Sequence, residues 1–277
     1  MVGTTCLITG GTGGIGAAAA TALAAQGARV VLVGRNPERS ETAAAAIRRA
    51  LPAAEVDVLI ADLSLLAEVR TLAAKVIERY PRLGVLILNA AVCRPRREIT
   101  AEGFEVDLAT NHLAPFLLAR LLSEHLARNA PARIITVTSS VHAQVKHVDL
   151  DRLATDFSQT RTYAITKLLN LLALGELDRR LGGTGVTVNA ADPGFVRTEL
   201  GRDATGAFGL FLKAARPFQR TPERGAAPIV RLATDPELAD TTGAYFNAKG
   251  PAAPSPTATD TDLAFRVFTW TERLTAT

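Results

Sequence analysis

Seven short runs rich in β-branched residues and Leu recur along the chain: Thr4–Thr9, Arg29–Val33, Val56–Ile60, Val85–Leu88, Arg133–Val137, Val186–Ala190 and Ala244–Phe246. The longer segments between them carry Ala, Leu and Arg at helical spacing. Nearly continuous apolar strands separated by helix-length segments are what a parallel sheet covered on both faces requires. Right-handed crossovers then predict an α/β fold, a doubly wound Rossmann-type sheet forming one domain over residues 1–277. Asn36-Pro37 offers a capping side chain before a first-turn Pro, and Ser64 and Thr100 are the expected caps of the next two helices. A strong helical pattern runs from about Ala101 to Leu126. Two stretches break the rhythm. The apolar segment Gly201 to Arg220, with three Phe, reads as a lid, and the Pro-rich run Gly250 to Pro256 reads as irregular tail before an amphipathic segment from Asp260 to Leu274.

Composition narrows the function. With 48% apolar and 21% charged residues among 277, disorder and coiled coil are poor readings. The net charge of +4 is spread over Arg without a basic run, which argues against a nucleic-acid partner. Cys6 and Cys93 stand far apart, so neither a disulfide framework nor a metal site is expected, and a reducing, cytoplasmic setting is. The first 16 residues lack Lys and Arg, and no 18-residue apolar stretch follows, so no signal peptide or transmembrane segment is expected.

The first strand runs into Thr9-Gly10-Gly11-Thr12-Gly13-Gly14-Ile15-Gly16 where a helix opens. Both GxGxxG and the wider GxxxGxG spacing are satisfied. Either demands positive φ and the absence of Cβ, so that backbone N–H groups and a helix N-terminus can face a pyrophosphate. A dinucleotide site needs a partner for the adenosine ribose at the end of the second strand. Here Gly34 is followed by Arg35 and no carboxylate, which favours NADP over NAD, with Arg39 as a second cation. Asp62 and Leu63 after the third strand are placed at the adenine, and Asn89, Ala90 and Ala91 after the fourth behind the cofactor. Thr138-Ser139-Ser140 ends the fifth strand, and Tyr163 and Lys167 lie at i,i+4 on the following helix. One helix face thus sets an ammonium beside a phenol, which favours the ionised phenol.

In this order the motifs TGGTGGIG, DL, NAA, NHL, TSS, YAITK and DPGFVRTEL resemble the short-chain dehydrogenase/reductase family. Asn111-His112-Leu113, Ser139 to His142, Arg197 to Leu200, Tyr245-Phe246-Asn247 and Pro254-Ser255-Pro256 are similar to its retinol-dehydrogenase and WW-domain-oxidoreductase cluster. The resemblance implies an NADP(H)-dependent oxidoreductase that interconverts a ketone or aldehyde with its alcohol. It implies a catalytic tetrad of Asn111, Ser140, Tyr163 and Lys167. In it Ser140 polarises the substrate oxygen, Tyr163 passes the proton, Lys167 tunes Tyr163 and holds the nicotinamide ribose, and Asn111 positions a relay water. The cofactor would meet Gly10, Thr12, Gly14, Ile15, Gly16, Arg35, Asp62, Leu63, Asn89, Ala90, Pro193, Gly194, Val196 and Thr198, together with Tyr163 and Lys167. An apolar substrate would meet Ser140, His142, Tyr163, Phe195, Phe208 and Phe211, and a homodimer or homotetramer is the expected assembly. Leu88, Ala91 and Thr166 depart from the commoner NNAG and YxxSK patterns without touching the tetrad. A non-catalytic dinucleotide-binding regulator and an NADPH-dependent C=C reductase are the alternatives.

Several residues carry a bland reading beside a sharp one. His142 is either a substrate contact or a hydrogen-bonded loop histidine, His112 is expected to be structural, and Cys93 is expected to be a small buried filler. Phe218 belongs with Phe208 and Phe211 as pocket or lid packing. Pro115, four residues after Asn111, has no N–H, so the Asn111 carbonyl loses its helical donor and is expected to accept from a water leading to Lys167.

Overall fold

The computed structural model describes residues 1–153, 156–197 and 219–276. Eight strands form one sheet in the order β3-β2-β1-β4-β5-β6-β7-β8. They are β1 (Thr5–Thr9), β2 (Arg29–Gly34), β3 (Val56–Ile60), β4 (Leu83–Leu88), β5 (Ala132–Val137), β6 (Val186–Ala191), β7 (Tyr245–Asn247) and β8 (Gly250–Ala252). The first seven pair in parallel, and each matches an apolar run of the sequence. β8 turns back antiparallel to β7. It corrects the reading of Gly250 onward as irregular: a three-residue strand containing Pro251 is too short to show a period, and as an edge strand it tolerates the missing N–H.

Alternation along the strands sorts the core into two layers. Leu7, Val31, Val33 and Leu86 face one side with α3 (Leu66–Arg79), α5 (Ala114–Arg128) and α6 (Gln159–Leu181). Cys6, Ile8, Val30, Leu32 and Ile87 face the other with α1 (Gly14–Ala25), α2 (Pro37–Ala50) and the helix Pro222–Thr234. The sheet order reverses between β1 and β4, and the segments that follow these strands diverge there to leave a crevice at their carboxyl ends.

Helix starts show where local signals suffice. Asn36 caps α2 as expected, accepting from Arg39 N–H at 2.9 Å. Ser64 does not cap α3: its hydroxyl donates to Asp62, and the first N–H groups of the helix, at Leu66 and Ala67, donate to the Glu102 carboxylate at 2.6 and 3.0 Å. Thr100 closes a turn by accepting from Phe104 N–H, and the helix starts only at Val106, capped by Glu105. The pattern from Ala101 is thus split into that turn, α4 (Val106–Leu108), a π turn (Ala109–Leu113) and α5. The expected lid lies almost wholly outside the described residues, as do Thr198, Phe208, Phe211 and Phe218. Arg220 is described and pairs with Val196.

The amphipathic C-terminal segment is a helix, Thr261–Thr275, with Asp260 accepting from Leu263 N–H. It lies against α6 and the π turn. Its Phe268 is fully buried, edge-on to Phe116 at 4.8 Å, and covered by the guanidinium of Arg180 at 3.9 Å. Glu272 bridges Arg120 and Arg180 across the same contact. Phe268→Ala should cost about 3–5 kcal/mol through lost burial and the cavity left behind. Urea unfolding at constant m-value checks it, and a cost below about 1 kcal/mol would show that the helix is only loosely attached.

Candidate active site

The glycine segment lies at the crevice. Gly10 and Gly14 have φ of 64° and 51°. A Cβ on Gly16 would come within 2.3 Å of the Gly10 carbonyl, and one on Gly10 within 2.9 Å of Ala90 Cα. Asn89 braces this close approach, its amide donating to the carbonyls of Thr9 and Gly10 at 2.8 and 3.2 Å. Thr9 Oγ1 accepts from the N–H groups of both Asn89 and Ala90. The N-terminus of α1 has neither a capping side chain nor an acidic residue in its first turn. α6 is likewise uncapped, whereas α2, the helix Pro222–Thr234 and the C-terminal helix each have a side-chain cap, so it is the glycine loop that sets the start of α1 apart. An uncapped helix start beside a Cβ-free loop fits a bound pyrophosphate. Thr12 and Ile15 line this loop half-buried, and Pro193, Gly194 and Val196 follow β6 on the same edge of the sheet.

Arg35, directly after β2, is well exposed and pairs with Asp62 at 3.8 Å. The Asp62 carboxylate also accepts from the N–H and hydroxyl of Ser64, and the Leu63 side chain is buried beneath that turn. Arg39 and Thr12 line a cavity of about 390 Å³ between α1 and α2.

Asn111 sits in the π turn with its side chain fully buried. Its carboxamide grips Val92 from both sides, accepting from the N–H at 2.7 Å and donating to the carbonyl at 2.8 Å. A third bond reaches Thr166 Oγ1 on α6 at 3.3 Å. Pro115 does deny the Asn111 carbonyl its helical donor, and Asn170 Nδ2 donates to that carbonyl from α6 at 2.8 Å. The Asn170 donor is invisible to i→i+4 reasoning, which has no view of a neighbouring helix. Four residues before Asn111, the buried Asp107 accepts from Arg94 N–H, so both side chains clamp the strip after β4.

Lys167 is buried, and its Nζ donates to Val137 O at 3.0 Å and lies 5.4 Å from the centre of the Tyr163 ring. Burial lowers its pKa to about 8 against the opposing pull of Asp192. Burial raises the Tyr163 phenol, reinforced by the charges of Cys93, Asp192 and Asp107. Desolvation dominates the phenol in the free chain, where the Lys167 ammonium is turned to a backbone carbonyl. Asp107 is pushed up to about 7 by burial and by Glu105, and Cys93 to about 12 by burial and by Asp107, so that thiol is protonated and inert.

Ser139 and Ser140 separate cleanly. Ser139 caps the short 3₁₀ turn Ser140–Gln144 through Val141 N–H, whereas Ser140 is exposed. Of the two readings of His142, the geometry fits the hydrogen-bonded loop histidine. It is buried, its Nδ1 donating to Ser139 O at 2.7 Å and its Nε2 accepting from Ser255 N–H at 3.0 Å, which anchors the C-terminal tail. Phe195 is half exposed on the loop after β6, where Arg220 N–H donates to its carbonyl. Asp192 is the site residue that motif reading passed over. Buried after β6, it accepts from Gly194 N–H and from the Tyr245 hydroxyl, both at 2.8 Å, and its charge acts to raise Lys167. Its only signal is its place before Pro193-Gly194.

The sequence profile of the short chain dehydrogenases matches residues 4–207. Human retinol dehydrogenase 13 is 39% identical over 98% of this chain and 84% of its own length. The human WW domain-containing oxidoreductase is 34% identical over 99% of this chain and 68% of its own. Among solved structures, a short chain dehydrogenase from Burkholderia cenocepacia in complex with NADP superposes with a TM-score of 0.72 at 26% identity, covering 89% of this chain and 96% of that one. With the crevice, the glycine loop and the paired Tyr163 and Lys167 in place, the chain belongs to the short-chain dehydrogenase/reductase family of oxidoreductases.

Proposed function

We propose that the protein is an NADP(H)-dependent dehydrogenase/reductase interconverting an apolar ketone or aldehyde with its alcohol. The observation that carries this is the gathering of an exposed Ser140 hydroxyl, Tyr163 and a buried Lys167 at one end of the sheet beside an uncapped glycine-loop helix. When bound, the nicotinamide supplies or takes up the hydride. The Ser140 hydroxyl donates to the carbonyl oxygen and Tyr163 gives it the proton, a step for which a phenol kept neutral by burial is suited. Lys167 would hold the nicotinamide ribose, and Asn111 fixes the Val92 strip after β4. The Asn111 carbonyl has a second lone pair, which the Asn170 bond leaves open to a relay water. Arg35, with no carboxylate at the end of β2, supports the 2′-phosphate and hence NADP, Arg39 and Thr12 flanking the same side. Retinol dehydrogenase 13, by its name, supports an apolar alcohol as substrate class, and Phe195 beside the site suits one.

NADPH oxidation by purified protein across a panel of hydrophobic carbonyls tests the reading. Tyr163→Phe should lower kcat by about 10²–10⁴ while cofactor affinity holds, and retained turnover would remove Tyr163 from the mechanism. Arg35→Ala should weaken NADPH by about 10- to 100-fold and leave NADH nearly unchanged. Equal losses would refute the phosphate contact. Because Lys167 loses its charge near pH 8 in the free enzyme, kcat/KM for NADPH should be flat below that pH and fall above it. A profile flat well beyond pH 9 would show that Lys167 keeps an ordinary ammonium.

A further inference from the structure

The buried groups behind Asn111 form a directed chain. His112 is fully buried, with Nδ1 at 3.0 Å from Asn170 Oδ1 and Nε2 at 2.8 Å from Thr271 Oγ1 on the C-terminal helix. Asn170 lies on α6 three residues beyond Lys167 and donates through Nδ2 to the Asn111 carbonyl.

Proton counting settles the direction of the two bonds made by Asn170, and a neutral His112 ring then directs the third. The Asn111 carbonyl can only accept, so Asn170 must present its NH₂ to it and its oxygen to His112. His112 Nδ1 must then carry a hydrogen. Burial holds the His112 pKa near 4, so the ring is neutral and Nε2 is bare. Nε2 accepts from Thr271, whose hydroxyl also lies 2.8 Å from Val267 O but has only one proton to give. The sequence of donors is Thr271 O–H to His112, His112 Nδ1–H to Asn170, Asn170 N–H to Asn111. The Asn111 carbonyl needs that last donor because Pro115 has none to offer. On α6, Thr166 and Asn170 thus hold Asn111 from either side of Lys167 in sequence.

We propose that Asn170, oriented by His112, is a positioning residue of the reaction: its amide secures the π turn so that the Asn111 carboxamide keeps its grip on Val92 and on Thr166, the α6 residue between Tyr163 and Lys167. This rests on the functional reading above, and it adds the C-terminal helix, through Thr271, as the far support of the site.

Asn170→Asp tests it without changing shape. With its carboxyl protonated, Asp can accept from His112 and donate to the Asn111 carbonyl, and once ionised it cannot donate. Carbonyl reduction by this variant should approach wild type at low pH and lose kcat as the carboxyl ionises, a step absent from the wild-type profile, with NADPH affinity little changed. At His112, Asn places an N–H donor at the Nδ1 position and Leu places none. His112→Asn should therefore keep kcat near wild type, and His112→Leu should lower it about tenfold or more, within the range a 1 Å misplacement can reach. A pH profile of Asn170→Asp that parallels wild type, or equal kcat in the two folded His112 variants, overturns the positioning role. Nitrogen-15 NMR of the wild-type protein reads the chain without substrate: His112 should be protonated at Nδ1, and an Nε2–H tautomer would overturn the proposal. Should wild type turn over no carbonyl, a His112 ring found in the Nδ1–H form would leave the hydrogen-bond chain standing and place the failure in the functional reading.

Discussion

A single missing donor organises the centre of this molecule. Pro115 cannot supply the N–H that would close the helix on Asn111, and the backbone answers with a π turn, in which the Ala114 N–H reaches back to the Ala109 carbonyl. The carbonyl so released is satisfied from α6, and the side chain of the same residue turns to Val92 and Thr166. The strip after β4, the helix bearing Tyr163 and Lys167, and the C-terminal helix are thereby tied to one residue. Without a donor from α6 the buried carbonyl would be left bare, at a cost of about 1–3 kcal/mol, so packing of α6 and geometry of the site are a single problem.

Electrostatics in the crevice follow from desolvation more than from pairing. Lys167 is kept buried by a backbone carbonyl and by the charge of Asp192, which is itself held by Gly194 and Tyr245. Tyr163 is raised, not lowered, by the same surroundings. The site as it stands favours the protonated phenol, the form that gives a proton to a carbonyl oxygen. The uncapped start of α1 supplies positive potential at the opposite end of the crevice, where a diphosphate would lie.

What the sequence shows and what it hides divide by range. The seven parallel strands, the Asn36 cap and the glycine loop are written in short apolar runs and in residues adjacent along the chain, and all stand where expected. Ser64 has the right chemistry for a cap but loses to Glu102, a carboxylate brought in by tertiary structure that takes the first N–H groups of α3, whereas Thr100 serves only a turn and Glu105, five residues on, caps the helix start locally. His142 gives no local sign that Ser255, 113 residues away, will occupy its second nitrogen. Asn170 reads as one polar residue in the apolar run Leu168 to Leu174, and only the neighbouring helices reveal that it faces His112 and Asn111. Asp192 likewise becomes meaningful once the fold buries it after β6, where it binds Tyr245 and its charge reaches Lys167. No described helix is long and apolar enough to cross a membrane.

The central claim is that this crevice moves a hydride between a nicotinamide and a carbonyl carbon. The most direct measurement is transfer of label from NADPH deuterated at the reactive C4 position, with hydrophobic ketones and aldehydes, the aldehyde of retinol among them, as acceptors. The account predicts alcohol product carrying one deuterium on the former carbonyl carbon, made by the wild-type protein and not by the Tyr163→Phe variant. Tight NADPH binding with no labelled alcohol from any acceptor would contradict it.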